Sequence, residues 1–184
     1  MARPHSYSPE GEAQKLLDEL GIATTPVPVE KIARQLGAQL RYSPLDEALS
    51  GMVYVKDGVP IIGVNALHHP NRQRFTIAHE IAHLRLHIEH IKNAVHVDKE
   101  FPVSVLRRDA TSTTGTERLE IEANQFAAAL LMPKRILSQT MAAAHTDIDV
   151  EPPLEDWAKR FKVSKATLEF RIRNLSQERA GEQQ

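Results

Sequence analysis

The run Arg74-Phe75-Thr76-Ile77-Ala78-His79-Glu80-Ile81-Ala82-His83-Leu84-Arg85-Leu86-His87 decides how this chain is read. Phe75, Ile77, Ala78, Ile81, Ala82 and Leu84 supply apolar surface at helical spacing, so a partly buried amphipathic helix is predicted from about Asn71 to His87. His79 and His83, four positions apart, share one face of that helix about one turn along its axis, where they can ligate a single metal ion. Glu80 beside them can reach a water on that metal. Two histidines and a glutamate in this pattern are the mark of zinc-dependent peptide hydrolysis, with the glutamate as general base. The competing reading is a solvated helix that carries surface histidines.

Composition narrows the chemistry. At 184 residues, with 41% hydrophobic and 26% charged, the chain suits one soluble domain with room for a small appendage. A net charge of −1 gives no global field for nucleic acid or an anionic membrane. The absence of cysteine rules out disulfides, thiolate zinc sites and a cysteine nucleophile, so a metal must be held by histidine and carboxylate. No segment reaches the length of a membrane span, and Met1-Ala2-Arg3-Pro4-His5 lacks the apolar core of a signal peptide. The expectation is a cytoplasmic protein without a membrane partner. Seven of the nine histidines (His68, His69, His79, His83, His87, His90 and His96) fall within 29 positions, a clustering that suits a metal site.

Along the chain, Ser8-Pro9-Glu10 opens a helix to about Leu20, stopped by Gly21. Pro26-Val27-Pro28 breaks the chain, and Val29 to Leu36 reads as a second helix closed by Gly37. Ala38 to Tyr42 suits a short strand. Met52-Val53-Tyr54-Val55 and Ile61-Ile62-Gly63-Val64, separated by a turn containing Asp57-Gly58, read as a β-hairpin with Pro60 at a sheet edge. Periodicity is lost from Ile91 to Gly115, and a segment this long inside a compact domain is more often functional than idle. Helices are predicted over Glu117 to Leu131, Pro133 to Ala144, Leu154 to Phe161 and Lys165 to Leu175, with Ser164 as an N-cap.

A catalytic zinc site of this type needs one more carboxylate and keeps a position open. Glu117, Glu120 and Glu122 are the candidates on the next long helix. Glu122 shares its face with Arg118, Gln125 and Ala129, which reads as a solvent face, and Glu117 sits where it favours the helix dipole. Glu120 shares its face with Ala123, Asn124, Ala127 and Leu131, small and apolar residues that let another helix approach, so Glu120 is taken as the third ligand. Asn124, one turn on, can hydrogen-bond the second ring nitrogen of a ligating histidine, or serve only as a packing amide.

With these residues in hand, the chain resembles the ImmA/IrrE family of zinc-dependent peptidases from roughly Ala13 to Leu175. The resemblance rests chiefly on the helix through His79-Glu80-Ile81-Ala82-His83 and on Glu120-Ile121-Glu122-Ala123-Asn124-Gln125-Phe126-Ala127-Ala128-Ala129-Leu130-Leu131-Met132-Pro133. Pro26 to Ala33, Leu36-Gly37, Ser50-Gly51 and Arg108-Asp109 support it. It implies an α+β, zincin-like (gluzincin-like) metallopeptidase fold: a small twisted sheet, antiparallel in part, packed on the histidine-bearing helix and a second ligand-bearing helix, with a C-terminal helical hairpin. The corresponding division is a disordered N-terminus at 1–8, the peptidase domain at 9–146, a helix-turn-helix-like subdomain at 147–175 and a disordered tail at 176–184. The resemblance also implies one Zn2+ per chain on His79, His83 and Glu120, with Glu80 as general base. It further implies site-specific cleavage of a helix-turn-helix repressor, here expected to be a separate protein, in a stress response or in mobile-element regulation.

Several positions stay open at the level of sequence. Tyr54, His87, His90, His96, Arg107 and Arg108 are all candidates for a further donor to the scissile carbonyl, and nothing in the sequence chooses. His87 continues the histidine face by one turn but also suits a structural histidine. The Met52 to Val55 edge can accept an extended substrate by strand addition, or be a plain edge. Zinc affinity is expected to weaken as pH falls through about 6.5, because the ligating histidines must be neutral. Two other readings are a non-catalytic, zinc-containing regulatory protein, and DNA binding through Leu154 to Leu175 with Lys165, Arg171 and Arg173. Two helices and a near-neutral chain argue against direct nucleic-acid binding.

Overall fold

The structure, a computed structural model, describes residues 8–91, 96–99, 115–144 and 153–181. It is a mixed α and β protein with a four-stranded sheet. Helix α1 (Pro9–Glu19) starts where the Ser8 hydroxyl accepts from Gly11 N–H at 3.0 Å, and it ends before Gly21 at φ +63°. Helix α2 (Val29–Gln35) stops before Gly37 at φ +81°. Strands β1 (Gln39–Ser43), β2 (Leu49–Lys56) and β3 (Val59–Asn65) follow. Asp57 and Gly58 both take positive φ, 52° and 77°, the backbone of a two-residue turn whose twist matches its strands.

The sheet order is β1-β3-β2-β4, where β4 is His96–Lys99. β1 runs parallel to β3, while β2 is antiparallel to both β3 and β4. Two expectations change here. β3 is an interior strand, and Pro60 is accommodated because the β1 register begins only at Ile61. β2 is not an edge either: Leu49, Gly51, Met52 and Val53 pair with Lys99, Asp98, Val97 and His96, with a bulge between Leu49 and Gly51. β4 falls in the segment that lacks periodicity, so nothing in the pattern of residues announced it.

Helix α3 (Pro70–Leu86) begins with His69 Nδ1 accepting from Asn71 N–H at 3.1 Å and with Pro70 in its first turn. All eight residues from Thr76 to His83 are buried. The expected amphipathic helix is therefore a central one, covered on every side in its middle turns. The reason is that its polar residues, His79, Glu80 and His83, face inward and not toward water. α3 packs on β2 and β3 on one side and on α5 (Gly115–Leu131) on the other. A short helix α4 (Ile88–Ile91) and the longer α6 (Lys134–Ala144) follow α3 and α5 respectively.

The C-terminal pair is α7 (Leu154–Phe161) and α8 (Lys165–Gly181). Lys162 at φ 52° makes the turn between them, and Ser164 Oγ caps α8 by accepting from Thr167 N–H at 3.1 Å. α8 continues six residues beyond Leu175, so residues 176–181, expected as disordered tail, are helical. Trp157, Phe161, Leu168 and Phe170 join the same core cluster as Leu16, Ile32, Ile62, Ile81 and Phe126. Arg171 is 3% exposed and clamps α8 down: its two terminal nitrogens donate to Glu10 at 2.9 Å each, and Nε donates to the Met132 carbonyl at 3.2 Å. Asn71 Nδ2 at the start of α3 donates to the Val163 carbonyl at 3.1 Å, tying the α7–α8 turn to the central helix. The expected boundary between residues 146 and 147, residues 1–7 of the expected N-terminal stretch, and most of Ile91 to Gly115 lie outside the described residues.

Candidate metal centre

His79 and His83 project from successive turns of α3 toward α5, where Glu120 meets them. The two Nε2 atoms are 3.0 Å apart. Glu120 Oε2 lies 3.2 Å from His79 Nε2, and Oε1 lies 3.4 Å from His83 Nε2. All three side chains are buried, and among the described residues they form a group that could hold a metal ion, their ligand atoms within 4.8 Å of one another. Donors set tetrahedrally around zinc at its usual bond lengths stand about 3.3 Å from each other. The observed separations match the edges of one such polyhedron.

Proton placement points the same way. The Asn124 amide oxygen stands 3.0 Å from His79 Nδ1. An amide oxygen can only accept, so Nδ1 carries a proton, and in the neutral ring that a metal requires the lone pair is then on Nε2. That lone pair faces a carboxylate oxygen, itself an electron-pair donor, in a buried setting. Opposed donors at this distance are stabilised by a cation between them. The residues present fit a divalent metal.

Glu80, one position after His79, is fully buried and lies on the sheet-facing side of α3. There it meets β2 at Gly51. A Cβ placed on Gly51 would overlap Thr76 Cγ2, come within 2.7 Å of the Gly63 carbonyl oxygen, and stand 3.5 Å from Glu80 Oε1. Only glycine lets the strand lie this close to Thr76 and to the Gly63 carbonyl, with the carboxylate at ordinary contact distance beside them. Ser50 accepts from Arg72 Nη2 at 2.9 Å and fastens the same part of β2 to the first turn of α3. The role of Gly51 depends on a tertiary approach that no local residue pattern announces; its place in the Ser50-Gly51 pair of the family resemblance is the one signal the sequence carries.

The remaining candidates separate clearly. His87, the C-cap of α3, is buried with Nδ1 3.1 Å from His83 Nδ1 and Nε2 3.2 Å from Glu122 Oε2. Burial lowers the His87 pKa below the ordinary histidine range, outweighing the pull of Glu122. Burial by itself would raise the Glu122 carboxyl, but hydrogen bonds from Arg118 and His87 bring it below the ordinary range. Glu122 is thus a partner of His87 and not a residue of an open solvent face. Tyr54, three residues after Gly51 on a regular stretch of β2, lies on the opposite face of the sheet from Glu80. His90 is exposed on α4. Arg107 and Arg108 lie outside the described residues, as does the side chain of His96. Glu117 occupies the first turn of α5, as expected for the dipole role.

The model of the Peptidase M78 family, the IrrE N-terminal-like domain, matches residues 33–173. The chain belongs to this family. No curated protein matches it. Among solved structures it is similar to a Mycobacterium tuberculosis transcriptional regulator, with a TM-score of 0.60 and 19% sequence identity. That similarity covers 89% of this chain and 46% of the other, so the chain spans less than half of that protein. At this identity the likeness concerns the fold. Among the described residues, no helix is long and apolar enough to cross a membrane.

Proposed function

We propose that this M78 family member is a zinc-dependent endopeptidase that cuts a separate protein, a helix-turn-helix transcriptional repressor, at a specific bond. The convergence of His79, His83 and Glu120 beside the buried Glu80 carries the reading. Three protein donors leave a position for water or substrate, whereas structural zinc sites are closed by four. That distinction favours hydrolysis over a purely structural metal. The repressor substrate rests on the family resemblance and on the regulator that shares the fold.

When bound, zinc would supply Lewis acidity for the scissile carbonyl and make water nucleophilic near neutral pH. The chain's own residues do the rest. Asn124 holds His79 in the tautomer that presents Nε2 to the site. The Glu80 carboxylate accepts the proton of the attacking water as the carbon–oxygen bond forms. It then passes that proton to the amine nitrogen as the carbon–nitrogen bond breaks. A cytoplasmic setting suits a repressor substrate. Direct DNA contact forms no part of the proposal, because Arg171, one of the cations that suggested it, is spent on Glu10 and Met132.

The test is Glu80→Gln. Cleavage of a panel of helix-turn-helix repressors, read by mass spectrometry, should fall by about 10²- to 10⁴-fold, while zinc per chain stays at the wild-type value. Undiminished cleavage would remove Glu80 from the mechanism. A general substrate such as casein is the wrong assay for a protease of narrow specificity.

A further inference from the structure

We infer that His87 is a positioning residue for His83, held in its own tautomer by Glu122, and that this pair raises the affinity of the centre for zinc. The inference rests on the proposed zinc site and goes beyond its three donors. His83 Nδ1 and His87 Nδ1 are 3.1 Å apart, so one of the two must carry a proton and the other a lone pair. Which one is settled a step further out. His87 Nε2 stands 3.2 Å from the Glu122 carboxylate, which can only accept, so the proton of a neutral His87 is on Nε2.

It follows that His87 Nδ1 is the acceptor and that His83 Nδ1 donates to it. A neutral His83 protonated on Nδ1 has its lone pair on Nε2, the atom facing Glu120 and His79. Glu122 is fixed in turn by Arg118, whose Nε donates to Oε1 at 2.9 Å. The row His83–His87–Glu122–Arg118 runs from the buried centre to an arginine whose side chain is 72% exposed. His79 is oriented by one amide; His83 is oriented by an imidazole backed by a carboxylate. A hydrogen-bonded carboxylate behind an imidazole makes the ligand more basic as well as better aimed, and removing such partners typically lowers metal affinity about 10- to 100-fold.

The experiment measures zinc affinity by competition with a chromophoric chelator, using the full chain and zinc alone, with no peptidase assay. His87→Leu should bind zinc about 10- to 100-fold more weakly, while the metal-free protein keeps its wild-type melting temperature within a few degrees. His87→Gln, whose amide oxygen can accept from His83, should recover part of the loss. Glu122→Gln keeps the shape and removes the charge, so it should show a smaller loss in the same direction and covers the case in which His87→Leu does not fold. Wild-type affinity in both His87→Leu and Glu122→Gln would overturn the inference and leave the zinc site standing. A wild-type chain that takes up no zinc would instead overturn the site itself.

Discussion

The two sides of α3 do different work by different means. Toward α5 the helix offers His79 and His83, and each of their ring nitrogens faces another side chain: Glu120 across the gap, Asn124 behind His79, His87 behind His83. Toward the sheet it offers Thr76 and Glu80, which meet the β2 backbone at Gly51, where a side chain is missing. One side is built from hydrogen-bonded groups and tolerates adjustment atom by atom. The other is built from the closeness of two backbones, which a single methyl group disturbs. The sheet side should therefore break abruptly and the α5 side gradually.

The largest effect is expected from Gly51→Ala. Its Cβ would press on Thr76 and on the Gly63 carbonyl, and that carbonyl belongs to the neighbouring strand β3 and cannot swing away. Overpacking of this kind costs about 1–3 kcal/mol, more than the modest gain expected from replacing glycine in a strand. Urea unfolding of the metal-free protein should show this loss, together with a fall in cleavage well beyond the fraction unfolded, since a shift of β2 against α3 moves the wall on which the Glu80 carboxylate rests. Wild-type stability would mean that β2 can retreat from α3 at little cost.

Asn124→Ala probes the opposite side and should act more gently. It leaves the buried His79 Nδ1–H without its acceptor, a loss of about 1–3 kcal/mol at most, and frees the ring to take the other tautomer. Zinc binding should weaken about tenfold or somewhat more. Chelator competition checks this. A variant that bound zinc as tightly as wild type would reduce Asn124 to a packing amide.

This contrast also explains how much could be read in advance. The α5 side was legible: helical period put His79 and His83 on one face, and the small residues around Glu120 marked the face that another helix approaches. The hairpin was legible through Asp57-Gly58, and α1, α2 and α8 through Ser8, Gly37 and Ser164. What stayed hidden depended on contacts between segments far apart in sequence. Gly51 matters only because α3 lies over it. Glu122 has the phase of a solvent residue yet reaches His87, because α3 ends beside the start of α5. α3 itself looks amphipathic because its polar residues His79, Glu80 and His83 are turned into the protein and not toward water. Arg171 reads as a cation for a partner and is turned inward to Glu10.

The smallest and most discriminating effect concerns Thr76. Thr76→Ser removes the methyl that a Cβ at position 51 would strike and keeps the hydroxyl. By itself the change should cost little, about 0.5–1.5 kcal/mol for one buried methyl. In the Gly51→Ala background it should cost less than that or stabilise outright, because the methyl it removes is part of the clash. The two substitutions should thus couple by about 0.5–1 kcal/mol in a double-mutant cycle on urea unfolding. Rescue should be partial, since the Gly63 oxygen still stands 2.7 Å from the new Cβ. Simple additivity would place the strain of Gly51→Ala wholly on the strand pair β2–β3, and α3 would then have no part in holding Gly51 against Glu80.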